Sequence, residues 1–273
     1  MLRKRVITSL LGIPIVITVV WYGEPWFTIF MTAWGLLAVF EFYKMVSASK
    51  VAPLTYFGLF GTLLFILSPH INNGVTTSLL VTSVIIIPLI WLLLHPQKAR
   101  SFTVWVWTIA GILYVGWLIS YLVILRGVDG GRNWVFIALF ATFVSDTSAF
   151  FIGRAWGKHL LAPRISPGKT WEGTLAGIIG AIIISLFFKL PTSFSLPLNY
   201  SQAIFLGLLI SVFGQIGDLI ESLFKRNLKA KDSSHFLPGH GGFLDRMDSI
   251  VFANIVVYYY MLSFNAGWLN WLA

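Results

Sequence analysis

Residues 222–248, SLFKRNLKAKDSSHFLPGHGGFLDRMD, gather reactive side chains in a chain that has few: 11% of its 273 residues are charged. Lys225, Arg226, Lys229, Lys231, Asp232, His235, His240, Asp245, Arg246 and Asp248 fall here, interleaved with Gly239, Gly241 and Gly242. Cations and carboxylates around a glycine-rich turn suit phosphate-plus-metal chemistry. Glycines let backbone N–H groups approach phosphate oxygens, Lys and Arg balance charge, and carboxylates hold a hard cation.

Other side chains extend this set. Upstream, GQIGDLIESLFKR places Asp218, Glu221, Ser222 and Lys225 at i, i+3, i+4 and i+7, one stripe of a helix. Asp218 lies about two turns inside an apolar run, which favours an interior cavity over lipid; Lys225 and Arg226 could equally be interfacial side chains reaching for water. Asp245 and Asp248, three apart at a helix start, can face one site, although Asp245 could also serve as an N-cap. With Asp218 they form an oxygen-ligand set suited to Mg²⁺, which takes one or two carboxylates plus phosphates and waters, with room for a second cation. Asp146, in FVSDTSAFFIG, is a carboxylate at membrane depth, functional by default unless it is a hydrogen-bonded packing residue. Lys169 and Glu172 sit three apart in RISPGKTWEG. Gly168-Lys169-Thr170 is not a phosphate-binding P-loop, because Pro163 stands where the first glycine is required. The alternative reading makes Lys169 a topology anchor and Glu172 an acidic residue favouring a helix N-terminus. The histidines have too few partners to suggest zinc.

The pattern S-x-x-K-R-x-x-x-x-K-D-x-x-x-x-x-P-G-H-G-G-x-x-D-R-x-D resembles the signature of the phosphatidate cytidylyltransferase (CDP-diacylglycerol synthase) family. Two further blocks, around Asp146 and at 166–173, are similar to the same family. The resemblance implies transfer of the cytidylyl group of CTP to phosphatidic acid, giving CDP-diacylglycerol and pyrophosphate in phospholipid biosynthesis. It implies Asp146, Lys169, Glu172, Asp218, Asp245 and Asp248 as catalytic, with Asp218, Asp245 and Asp248 as the metal ligands. Substrate contacts fall to Ser222, Lys225, Arg226, Lys231, Asp232, His240, Gly241, Gly242 and Arg246. The nucleophile would be an ionised lipid phosphate oxygen, so positioning and charge neutralisation at the α-phosphorus can suffice. Two alternatives stand beside it: a CTP-dependent polyprenol or phytol kinase, and a cation-coupled transporter with Asp146 and Asp218 on its ion path. The transporter leaves the charged loop unexplained.

The elements that must position these groups are membrane helices. The chain is 57% hydrophobic, and apolar runs recur, most of them long enough to cross about 30 Å of hydrocarbon. This predicts an all-α polytopic integral membrane protein with about nine transmembrane helices, at 6–22, 26–43, 54–67, 75–94, 102–125, 133–152, 173–190, 200–224 and 250–272. With a cytoplasmic N-terminus, 16 of the 19 Lys and Arg fall on the inside and the C-terminus is extracytoplasmic. The polar loops 153–172 and 225–249 then share the cytoplasmic side, where CTP is available, in the cell (inner or plasma) membrane. Residues 1–130 are expected to be scaffold, with lipid or oligomer contacts that could make a homodimer, and 131–273 the catalytic region. The net charge of +9 sits at membrane edges, which points to anionic lipid heads and not to nucleic acid. The absence of cysteine excludes disulfides and thiolate chemistry. The first run lacks a small-residue cleavage site and is expected to be retained.

Overall fold

Each predicted apolar segment is helical over most of its described length in the computed structural model, which describes residues 2–71, 74–95, 101–230, 233–234 and 241–269. The helices are α1 (Leu2–Tyr22), α2 (Trp26–Ala48), α3 (Thr55–Leu67), α4 (Gly74–Leu94), α5 (Ser101–Gly111), α6 (Leu118–Gly127), α7 (Gly131–Trp156), α8 (Trp171–Phe187), α9 (Tyr200–Asn227) and α10 (Asp248–Asn265). A wide π-helical stretch, Ile112–Trp117, joins α5 to α6, so these two form the fifth predicted segment. Among the described residues, five helices are long and apolar enough to cross a membrane: Trp26–Ala48, Val75–Leu94, Phe102–Gly127, Gly131–Trp156 and Tyr200–Asn227. That is fewer than the nine expected. With 13 and 17 residues, α3 and α8 reach only about 20 and 25 Å, so either would cross about 30 Å of hydrocarbon only together with its flanking residues.

The chain forms two compact units, Met1–Ile124 with Asn227–Arg246, and Leu125–Arg226 with Met247–Ala273. In the first, α2 is central, burying Ala38, Val39, Phe42, Tyr43 and Val46. Tyr43 is fully buried, and its hydroxyl donates to the Thr108 carbonyl at 2.7 Å, giving the ring's polar end the partner it needs. A Cβ on Gly58 or Gly111 would overlap that ring, so glycine is required on α3 and α5 for this approach.

In the second unit α8 presents Gly173, Gly177 and Gly180 to α7. A Cβ there would come within 2.6 Å of the Ala149 carbonyl, 3.0 Å of Ser145 Oγ and 2.7 Å of Ser148 Oγ respectively. The small residues let two backbones meet where lipid offers no hydrophobic drive. Buried polar groups are joined alongside: Ser145 and Ser211 share a 2.7 Å hydrogen bond, and Gln215 Nε2 donates to Ser211 Oγ at 3.0 Å and to the Thr174 carbonyl at 3.4 Å. Between α7 and α8 the chain makes an antiparallel hairpin, β1 (Leu160–Ala162) and β2 (Ser166–Thr170), with Leu160 opposite Thr170 and Ala162 opposite Ser166. Thr170 caps α8, its Oγ1 accepting the Gly173 N–H at 3.2 Å. A plain loop was expected here, and the hairpin is what places Lys169.

Candidate active site

The second unit brings together side chains from four elements. Lys169, at the end of β2, extends its ammonium to Asp218 Oδ2 on α9 at 2.8 Å and donates to the Gln215 carbonyl at 3.2 Å. Ser222, one turn on, donates to the other Asp218 oxygen at 3.4 Å. Asp146 on α7 interacts electrostatically with Asp248, Asp218 and Lys169, and the Ser249 hydroxyl bonds to its carboxyl. Asp248 opens α10, where its Oδ1 accepts the Ser249 N–H at 2.7 Å. Three carboxylates therefore interact with one another, Asp146 and Asp218 also with the Lys169 ammonium and Asp248 with that of Lys225. Like charges at such range repel, so the group favours cations.

The stripe expected on α9 is present but divided by partner. Asp218 and Ser222 serve Lys169, whereas Lys225 pairs with Glu221 at 3.4 Å. Glu221 is wholly buried and lies against Asp248. Arg226 donates through Nε to the Ile165 carbonyl in the hairpin turn at 3.2 Å. Lys169 and Glu172 do not share a partner. The Glu172 carboxylate instead accepts His159 Nδ1 at 2.6 Å and the His159 N–H at 3.3 Å. Its own backbone N–H and His159 hold that carboxyl down to about 2. Its position at the helix start closes the hairpin onto α8.

Asp245, Arg246, Gly241 and Gly242 belong to the first unit. Asp245 Oδ2 accepts the Gly242 N–H at 2.8 Å, the Ser233 N–H at 3.1 Å and the Ser233 hydroxyl at 3.0 Å. Gly241 has φ +80, a left-handed turn that glycine adopts freely, and a Cβ there would strike the Asp245 carboxylate. The carboxylate thus holds its own turn together. Arg246 is exposed. Lys231, Asp232 and His240 lie outside the described residues. Among the described residues no three His, Asp or Glu side chains form a group able to hold a metal ion by themselves. Asp218, Asp245 and Asp248 are therefore not a preformed cage.

Three groups were not assigned from the sequence. Glu221 lies on the α9 stripe but was given no role, and Gln215 carries the carbonyl that receives Lys169. Glu41 on α2 is 2% exposed and accepts Ser234 Oγ at 2.5 Å, Ser233 Oγ at 3.1 Å and the Leu244 N–H at 3.0 Å. The signal for Glu41 was available: a carboxylate inside the apolar run AVFEFYKMV obeys the same rule that singled out Asp146.

A sequence profile described as the cytidylyltransferase family matches residues 3–264. The chain is 32% identical over 269 residues to the phosphatidate cytidylyltransferase of Bacillus subtilis (strain 168), covering 97% of this chain and 99% of that one. It is 33% identical over 264 residues to the protein of that name from Brucella abortus (strain 2308), covering 94% and 92%. With that of Staphylococcus haemolyticus (strain JCSC1435) it shares 30% over 255 residues, covering 92% and 95%.

Proposed function

Because the chain belongs to the cytidylyltransferase family, and so is a nucleotidyltransferase, we propose that it transfers the cytidylyl group of CTP to phosphatidic acid, releasing pyrophosphate and leaving CDP-diacylglycerol. The observation that carries this reading is the cluster in the second unit, where Asp146, Asp218 and Asp248 interact with one another beside Lys169 and Lys225. An ionised lipid phosphate oxygen attacks the α-phosphorus directly, so no protein base or covalent intermediate is needed. Lys169, Lys225, Arg226, Lys231 and Arg246 balance the phosphate charges, and the loop glycines let backbone N–H groups approach them.

Asp218 and Asp248, in the second unit, would offer hard oxygen donors to a divalent cation, which also takes substrate phosphates and water; Asp245, in the first unit, is the further ligand that the family pattern implies. Bound there, Mg²⁺ would supply Lewis-acid stabilisation of the phosphate charge. The chain's own contribution is placement. Lys169 fixes the Asp218 carboxylate on one side, Ser222 steadies its other oxygen, and Asp146 adds negative charge beside them.

Nine crossings with the N-terminus cytoplasmic and the C-terminus extracytoplasmic would put the 153–172 and 225–249 loops on the nucleotide's side, and the lipid would enter from the cytoplasmic leaflet. The distribution of Lys and Arg supports this arrangement. The test uses purified protein in detergent with CTP, phosphatidic acid and Mg²⁺. CDP-diacylglycerol should form, whereas dolichol or phytol with CTP should yield no phosphorylated alcohol. The reverse pattern would replace this reading with a lipid kinase.

A further inference from the structure

A buried carboxylate in a membrane helix costs several kcal/mol of desolvation unless its oxygens are hydrogen-bonded. Glu41 meets that requirement with three donors, all from the segment that leaves α9 and returns into α10. Oε1 takes the Ser234 hydroxyl, and Oε2 takes the Ser233 hydroxyl and the Leu244 N–H. Seven residues earlier on α2, Trp34 Nε1 donates to the Phe243 carbonyl at 3.2 Å, and the two rings meet edge-on at 5.0 Å. One face of α2 thus grips residues 233–234 and 243–244.

That grip leads to Asp245. Ser233 Oγ lies 3.1 Å from Glu41 Oε2 and 3.0 Å from Asp245 Oδ2. A hydroxyl carries one proton and so cannot satisfy both carboxylates fully at once, which couples their orientations. Leu244, whose N–H bonds to Glu41, directly precedes Asp245. A Cβ on Gly242 would run into both Ser233 Oγ and Glu41 Oε2, so the contact has no slack.

We propose that Glu41 is a positioning residue for the transfer reaction: acting through Ser233 and Leu244, it orients Asp245 and the Asp245–Arg246 turn. This assigns work to the N-terminal helices beyond scaffolding, and it rests on the proposed cytidylyl transfer for its kinetic readout. What Glu41 must supply is an acceptor, not a charge. Glu41→Gln can keep an oxygen at the Oε2 position for Ser233 and Leu244, while its NH₂ faces the Ser234 hydroxyl, which can rotate to accept. Glu41→Leu has similar bulk and no acceptor at all.

The experiment compares the full chain carrying Glu41→Leu, Glu41→Gln or Ser233→Ala in two readouts. Hydrogen exchange at the Leu244 and Gly242 amides should quicken at least about tenfold in Glu41→Leu and remain near wild type in Glu41→Gln. In turnover, Glu41→Leu should lose at least about thirtyfold in kcat/KM, beyond any loss of folded protein, and Glu41→Gln should stay within about fivefold. Adding Ser233→Ala to Glu41→Leu should cost little more, because both break one chain of contacts. Should Glu41→Leu fail to fold, Ser233→Ala alone must lose turnover and loosen the Gly242 amide. Unchanged exchange in these variants, or an activity loss that merely tracks the folded fraction, would overturn the proposal. If the wild type makes no CDP-diacylglycerol, the proposed function falls while the exchange result still decides whether Glu41 holds the turn.

Discussion

Replacing Asp218 by Asn keeps the side chain's shape and removes its charge. At 2.8 Å, the attraction between Lys169 and Asp218 is about 6 kcal/mol in an effective dielectric of about 20. Most of that is offset. The two side chains remain 20% and 32% exposed, so screening and the cost of desolvation leave a net contribution of about 1–2 kcal/mol to folding. The asparagine variant should therefore still fold, with a melting midpoint a few degrees lower. Turnover should suffer more. Lys169 loses the partner that fixes it, Ser222 faces an amide where it had a carboxylate, and a hard cation loses an anionic donor. We expect a drop of at least about a hundredfold in kcat/KM, or about 2.7 kcal/mol of barrier. Lys169→Met should also impair turnover, and combining it with Asp218→Asn should cost less than the two losses added. Steady-state kinetics and thermal shift on the same detergent preparations give both numbers. Near-normal Mg²⁺-dependent turnover in a well-folded Asp218→Asn protein would refute the assignment.

Chelation of divalent cations should stop turnover, and added Mg²⁺ should restore it; activity that persists in EDTA would remove the metal from the account. Glu172→Gln should lose far less activity than Asp218→Asn. Because Glu172 is held at about 2 in the folded chain, its stabilising pairing is complete above the ordinary Glu value and fades only as pH falls towards 2, so the variant's pH–rate profile between about pH 5.5 and 9 should parallel that of wild type. A displaced profile would return Glu172 to the chemistry. Lys229 has φ 56, so Lys229→Gly removes its charge without backbone strain and should leave turnover near normal, as a position outside the family pattern. A reporter after Ala273 should read as extracytoplasmic and one near Ser234 as cytoplasmic; a cytoplasmic C-terminus would break the proposed topology.

The helices were legible because continuous apolar runs have one good solution in a bilayer, and α4, α7 and α9 begin within about two residues of their predicted starts. Asp146 and Asp218 were legible for the complementary reason, as carboxylates where charge is costly. The β1–β2 hairpin was not, since strands of three and five residues carry no periodicity to read. The separation of Lys169 from Glu172 follows from that hairpin, which turns one side chain to α9 and leaves the other with His159. Asp245 was read as a metal ligand or an N-cap, and its hydrogen-bond partners are invisible in a linear pattern. Two are the Gly242 and Ser233 backbone N–H groups, and the third, the Ser233 hydroxyl, is shared with Glu41, 192 positions away.

The central claim is which phosphorus of CTP reaches the lipid. Purified protein with phosphatidic acid and Mg²⁺ should move radiolabel from the α-phosphorus of CTP into the organic phase, while label at the γ-phosphorus appears in pyrophosphate. Label from the γ-phosphorus in the lipid, with none from the α-phosphorus, would contradict cytidylyl transfer.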